Sequence, residues 1–166
     1  PEDIAPEEYK DPDVLFADLA ATYKKAVAKF YDAGCRYLQM DDIYFAYLCD
    51  SEQREMQKTM GRDPDDMLKR YAWMMNEAIR DRPDDMVIGM HMCRGNFQST
   101  YAASGGYDPA AEAIFSTGVD IFFMEYDSDR AGGLEPLRLL PKGKQRVLPG
   151  VVTTKTPGLE SVDALK

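Results

Sequence analysis

Histidine and cysteine are scarce in this sequence. His91 is the single histidine, and the three cysteines, Cys35, Cys49 and Cys93, are odd in number and far apart. Such spacing excludes a disulfide framework, and a reducing cytoplasm is the expected location. Basic charge is also short: 20 Lys and Arg stand against 29 Asp and Glu, a net charge of −9. Binding to phosphate backbones or anionic lipid needs clustered cations, so neither a nucleic-acid nor a membrane partner is expected. No apolar run approaches the ~20 residues of a membrane span. The opening PEDIAPEEYKDPD is acidic and contains prolines, unlike a secretory leader.

What the 166 residues do contain is enough for one domain with a core, punctuated by Gly, Pro and Asp. The chain opens on Pro1, and Leu159, Val162 and Leu165 after Pro157-Gly158 read as the first turns of a helix. Residues 1–166 are therefore expected to form a partial domain, cut at both ends.

The spacing of apolar residues predicts strands alternating with helices. Leu15, Leu19, Tyr23, Ala26 and Phe30 recur at helical period between Pro12 and Asp32, with Gly34 placed to end the helix. Arg36 to Asp41 is a short apolar run ending in acid, read as a buried strand, and Tyr44 to Leu48 as a loop. Asp63-Pro64-Asp65-Asp66 combines a cap, a first-turn proline and acid at the positive helix end, predicting a helix to about Arg80. A second strand follows from Met86 to His91, reaching toward Cys93. Asp108-Pro109 then opens a helix stopped near Gly118, a third strand runs from Val119 to Glu125, and a weaker fourth from Arg146 to Val152 contains Pro149. Alternation of this kind predicts an α/β fold with a parallel sheet. Four such units fit a small doubly wound sheet or about half of a TIM (β/α)8 barrel; in both, chemistry sits at the carboxyl ends of the strands.

Chemistry-bearing residues gather at those ends. Asp41 closes the first strand, His91 and Cys93 the second, and Glu125 the third. Side chains alternate with period two, so His91 and Cys93 share a face. Imidazole, thiolate and carboxylate make an N/S/O donor set suited to zinc. The plainer reading stands beside it: an H-x-C pair arises by chance, a buried cysteine is usually a small hydrophobe, and a lone histidine usually has a structural hydrogen bond. Cys35 precedes its strand by enough to lie roughly 20 Å from the catalytic face, and it is read as packing. Cys49, just past a strand end, is read as a loop or core residue. Arg94 and Arg130 lie beyond strand ends, either solvated or meeting a substrate carboxylate. Tyr101 and Tyr107 flank Gly105-Gly106, covering a ligand or packing a loop, and the methionines Met67, Met74 and Met75 of one helix are read as facing the core.

Three segments taken in order, YLQMDD (Tyr37 to Asp42), MHMCRGN (Met90 to Asn96) and IFFMEYD (Ile121 to Asp127), resemble the catalytic barrel of cobalamin-independent methionine synthases, and most of all its short single-barrel relatives. The resemblance extends to VVTTK at Val151 to Lys155. It implies a (β/α)8 barrel that moves a methyl group from a folate-type donor to the sulfur of homocysteine or a related thiol, giving methionine. It implies that His91, Cys93 and Glu125 are three of four Zn2+ ligands and that Asp41 holds the substrate ammonium. The fourth ligand of that family, a cysteine, and its catalytic histidine fall beyond Lys166, so the isolated chain is expected to be inactive and its zinc site incomplete. Asp42-Ile43 stands where the family usually has Glu-Pro, as in the short relatives. A homo-oligomer of the fragment is expected, because half a barrel leaves sheet edges unpaired. A uroporphyrinogen decarboxylase-like lyase barrel and a half-barrel without catalysis are the alternatives.

Overall fold

The computed structural model describes residues 9–166. Four strands, β1 (Tyr37–Asp41), β2 (Val87–Met92), β3 (Ile121–Glu125) and β4 (Arg146–Gly150), form one sheet in the order β1-β2-β3-β4. All three pairings are parallel. A doubly wound sheet reverses its strand order at a switch point, and this one does not. Consecutive parallel order, with helices on one face, is the pattern of a barrel, so the chain is an α/β fold forming part of a TIM (β/α)8 barrel.

The helices start where local chemistry fixes them. In α1 (Pro12–Asp32) the Asp11 carboxylate accepts the Asp13 N–H at 2.9 Å, and Pro12 sits at the first position. It ends as Gly34 takes a φ of +96°, letting the Cys35 N–H reach back to the Phe30 carbonyl at 3.0 Å. In α4 (Pro64–Ile79), Asp63 caps in the same way, and Leu68, Ala72, Met75, Ala78 and Ile79 form its buried stripe. That stripe packs on Ile88, Met90, Met92, Phe122 and Met124 from the covered face of the sheet. Burial of this shared layer is the main driving force of the fold.

The opposite face of the sheet is open. Tyr37 and Leu148 on it are each 47% exposed, while Ile88, Met90 and Phe122 on the covered face are fully buried. Gly89 keeps the open face shallow at its centre: a Cβ there would come within 2.9 Å of the Tyr37 hydroxyl and 3.0 Å of the Phe123 ring.

Several elements differ from the sequence reading. Tyr44 to Leu48, expected to be a loop, folds into α2 (Tyr44–Tyr47), and a further helix that the sequence reading did not mark, α3 (Ser51–Thr59), follows it. No residue of α3 is buried, so it carries no apolar stripe to read. Its sign was instead the cap: Asp50 accepts N–H bonds from Glu52 and Gln53. The helix expected at Asp108-Pro109 begins later, as α5 (Ala111–Phe115), because Tyr107 to Ala110 first closes a turn. The helix expected from Pro157 is not formed. Ser161 accepts only a single turn of bonds, and Leu159 is 96% exposed, so no buried face offsets the cost of nucleating a helix. Proline in β4 is tolerated for a geometric reason. The N–H groups of residues 146, 148 and 150 point toward β3, so position 149 faces the open edge, where no ladder bond is lost.

Candidate active site

The open face brings the sequence-predicted residues to one rim. Asp41 pairs in register with His91, and His91 with Phe123. Cys93 follows Met92, whose partner is Met124, so it leaves the sheet beside Glu125. His91, Cys93 and Glu125 line one cleft of about 620 Å3, together with Asn96, Asp127, Thr154 and Lys155. Asp41 lines a neighbouring, mostly apolar cleft of about 580 Å3 between α1, β1 and α4. A hydrogen bond between His91 Nδ1 and Asp41 Oδ1, 3.0 Å, joins the two. With Nδ1 so engaged, Nε2 is the nitrogen left to meet a ligand.

A spliced ladder shapes the end of β2 and β3. The Tyr107 hydroxyl accepts the Glu125 N–H at 3.0 Å and donates to the Met92 carbonyl at 3.3 Å. A phenol thus stands between two backbone groups that strands usually join directly, and the strands part where Cys93 and Glu125 emerge. Tyr107 is fully buried, and that burial pushes its phenol up to about 12.

Glu125 is held from two sides. Its Oε2 accepts the Arg94 N–H at 2.9 Å, and its Oε1 pairs with the Arg130 guanidinium. Arg130 also donates to Asp127 Oδ1 at 2.8 Å and lies 4.5 Å from the centre of the Tyr101 ring. The second Asp127 oxygen accepts the Thr153 hydroxyl at 2.7 Å. Asp42, on the covered side of the β1 end, accepts the Tyr44 N–H at 2.9 Å, and desolvation raises its carboxyl above the ordinary value.

The arginines and cysteines are thereby placed. Arg94 is neither solvated nor open to substrate: it is fully buried, and its guanidinium lies 4.3 Å from the centre of the Tyr107 ring. Among the described residues its side-chain nitrogens have no hydrogen-bond partner. The thiol of Cys35 donates to the Tyr37 carbonyl at 3.1 Å, at the strand end away from the cleft. Cys49 is buried, donates to the Phe45 carbonyl at 3.2 Å, and burial pushes its thiol up to about 12. A thiol that resists ionisation is a poor metal ligand.

The donor set His91, Cys93 and Glu125 suits zinc in kind. Its present arrangement does not complete a site: among the described residues, no three His, Cys, Asp or Glu side chains stand ready to hold a metal ion. Both oxygens of Glu125 are engaged, one by the Arg94 N–H and one by the Arg130 guanidinium. The Arg130 pairing and the Tyr107 splice had no signal in the sequence, since both depend on which loops meet above the sheet.

Comparison with known proteins agrees with the barrel architecture. Residues 5–166 match the family described as "Cobalamin-independent synthase, Catalytic domain". The uncharacterized proteins YxjH and YxjG of Bacillus subtilis (strain 168) are 45% identical over 159 residues and 46% identical over 162. These alignments cover 95% and 96% of this chain but 42% and 43% of the relatives, so the chain spans about two fifths of their length. A solved structure, named "Putative Vitamin-B12 Independent Methionine Synthase from Listeria monocytogenes", matches with a TM-score of 0.73 at 39% identity, over 94% of this chain and 42% of that one.

Proposed function

Because the chain belongs to the family of cobalamin-independent methionine synthase catalytic domains, we propose that its open rim is the thiol-activating part of a zinc-dependent methyltransferase site. The observation that carries this reading is the meeting of His91, Cys93 and Glu125 at one cleft, with Asp41 bonded to His91 behind it. In this reading His91 Nε2, the Cys93 sulfur and a Glu125 oxygen hold Zn2+. Zinc supplies Lewis acidity that keeps an acceptor thiol as its nucleophilic thiolate near neutral pH.

The other roles belong to the chain itself. Asp41 fixes the tautomer and orientation of His91 through Nδ1, and its second oxygen is free to meet the ammonium of an amino-acid thiol. Homocysteine or a related thiol is the proposed acceptor, a folate-type molecule the methyl donor, and the cytoplasm the location. Phe123 and Leu148, on the same face, supply an apolar wall that limits water near the sulfur.

The reading is tested by zinc affinity and by chemistry. His91→Ala and Cys93→Ser should each weaken zinc binding by the chain at least about tenfold, since losing even an outer-shell partner of a ligand costs about that much. In a longer polypeptide that carries these residues and completes the barrel, the same substitutions should abolish zinc-dependent methylation of homocysteine. Unchanged zinc affinity in both variants refutes the proposed donors.

A further inference from the structure

Of the three proposed donors, Glu125 alone has its donor atoms already taken. One guanidinium serves two carboxylates here: Arg130 pairs with Glu125 Oε1 and, from the same nitrogen, with Asp127 Oδ1. The group is well shielded, with side-chain exposures of 9% for Arg130, 15% for Glu125 and 4% for Asp127. Shielding strengthens charge-assisted bonds that would count for little at the surface. Arg130 is further fixed by the Tyr101 ring and by the Ala103 carbonyl at 3.4 Å, and Asp127 by Thr153.

We propose that Arg130 is a latch that holds Glu125 away from His91 and Cys93, and that Asp127 is the acceptor that keeps Arg130 paired when Glu125 turns to the metal. The proposal rests on the zinc reading above. A dication drawn to Glu125 meets the positive charge of Arg130 on the same carboxylate, so both cannot hold it equally well. Release would be costly if it left a shielded guanidinium unpaired. Asp127 removes that cost, because its bond to Arg130 already exists. Only the Glu125 side chain has to turn. The apparent affinity for zinc is then the intrinsic affinity reduced by the fraction of Glu125 that is free.

The test measures zinc affinity of the chain by competition with a chromogenic chelator at fixed pH. Arg130→Met frees Glu125 and should tighten zinc by about tenfold, the scale of one charge-assisted bond. Asp127→Asn leaves Arg130 dependent on Glu125 and should weaken zinc by a similar factor. Simple through-space charge predicts the same two signs, so two further variants decide. Arg130→Lys keeps the charge but loses the second guanidinium nitrogen that bonds the Ala103 carbonyl and the planar contact with Tyr101, which together seat the cation on Glu125, and should also tighten zinc. Asp127→Asn placed on Arg130→Met should have little effect, since Asp127 acts through Arg130. If Arg130→Lys binds like the parent and Asp127→Asn weakens zinc equally in both backgrounds, the latch is refuted and the zinc site stands. If His91→Ala leaves zinc affinity unchanged, it is the zinc reading that fails.

Discussion

Replacing Tyr107 by Phe removes one oxygen atom and tests the spliced ladder directly. The hydroxyl stands between the Glu125 N–H and the Met92 carbonyl, at 3.0 and 3.3 Å, in a fully buried position. Without it the Glu125 N–H has no acceptor unless the strands close the gap. The rim resists closing, because Glu125 is tied to Arg130 and to the Arg94 backbone. An orphaned buried donor costs about 1–3 kcal/mol, and the longer bond to Met92 adds less. The ring remains, and with it the contact to the Arg94 guanidinium. The net loss should therefore be about 2 kcal/mol, read from the midpoint of a urea unfolding curve at unchanged slope. A loss under about 0.5 kcal/mol would mean that the strands rejoin without the phenol and that the splice has no energetic role.

Arg94→Met should stabilise the chain by about 1–2 kcal/mol in the same assay, since a buried guanidinium with no hydrogen-bond partner among the described residues costs more than its ring contact returns. Clear destabilisation would show that Arg94 is better satisfied than its contacts indicate. Asp50 supplies a pH test. Burial alone would raise its carboxyl, but donors from Ser104, Gln53 and Glu52 outweigh that and hold it below the ordinary value of 3.8. A depressed folded value means the contribution is present above the ordinary carboxylate value and lost as pH falls through the lower folded one. Asp50→Asn should flatten that acid limb in an unfolding series against pH, and an unchanged limb would contradict the assignment.

The sequence revealed the strand ends because chemistry and periodicity coincide there: a run such as Tyr37 to Asp41 is apolar in alternation and closes on an acid. It also placed His91, Cys93 and Glu125 together, since period-two alternation and a parallel sheet leave them one face to share. It failed where a residue's surroundings come from distant loops. Arg94 looks like any arginine past a strand, yet a residue three along from His91 and one from Cys93 alternates onto the covered side. Its burial beneath Tyr107 depends on a segment 13 residues later. Likewise α3 buries nothing, and its local marks are its cap and its run of helix-forming Glu, Gln, Arg, Met and Lys residues rather than an apolar stripe.

Pro149 carries a consequence for whatever strand joins this edge. The outward-facing amide positions of β4 are 147 and 149, and the second has no hydrogen to give. A strand joining there, from a longer polypeptide or from another molecule, is anchored by the Val147 amide and finds no donor at the next rung. The seam would be zipped near the amino end of β4 and loose near its carboxyl end. Beyond that loose end lie Val152, Thr154 and Lys155, flanking the cleft of His91 and Cys93. A missing hydrogen on one backbone nitrogen would thus set how wide the mouth of that cleft can open.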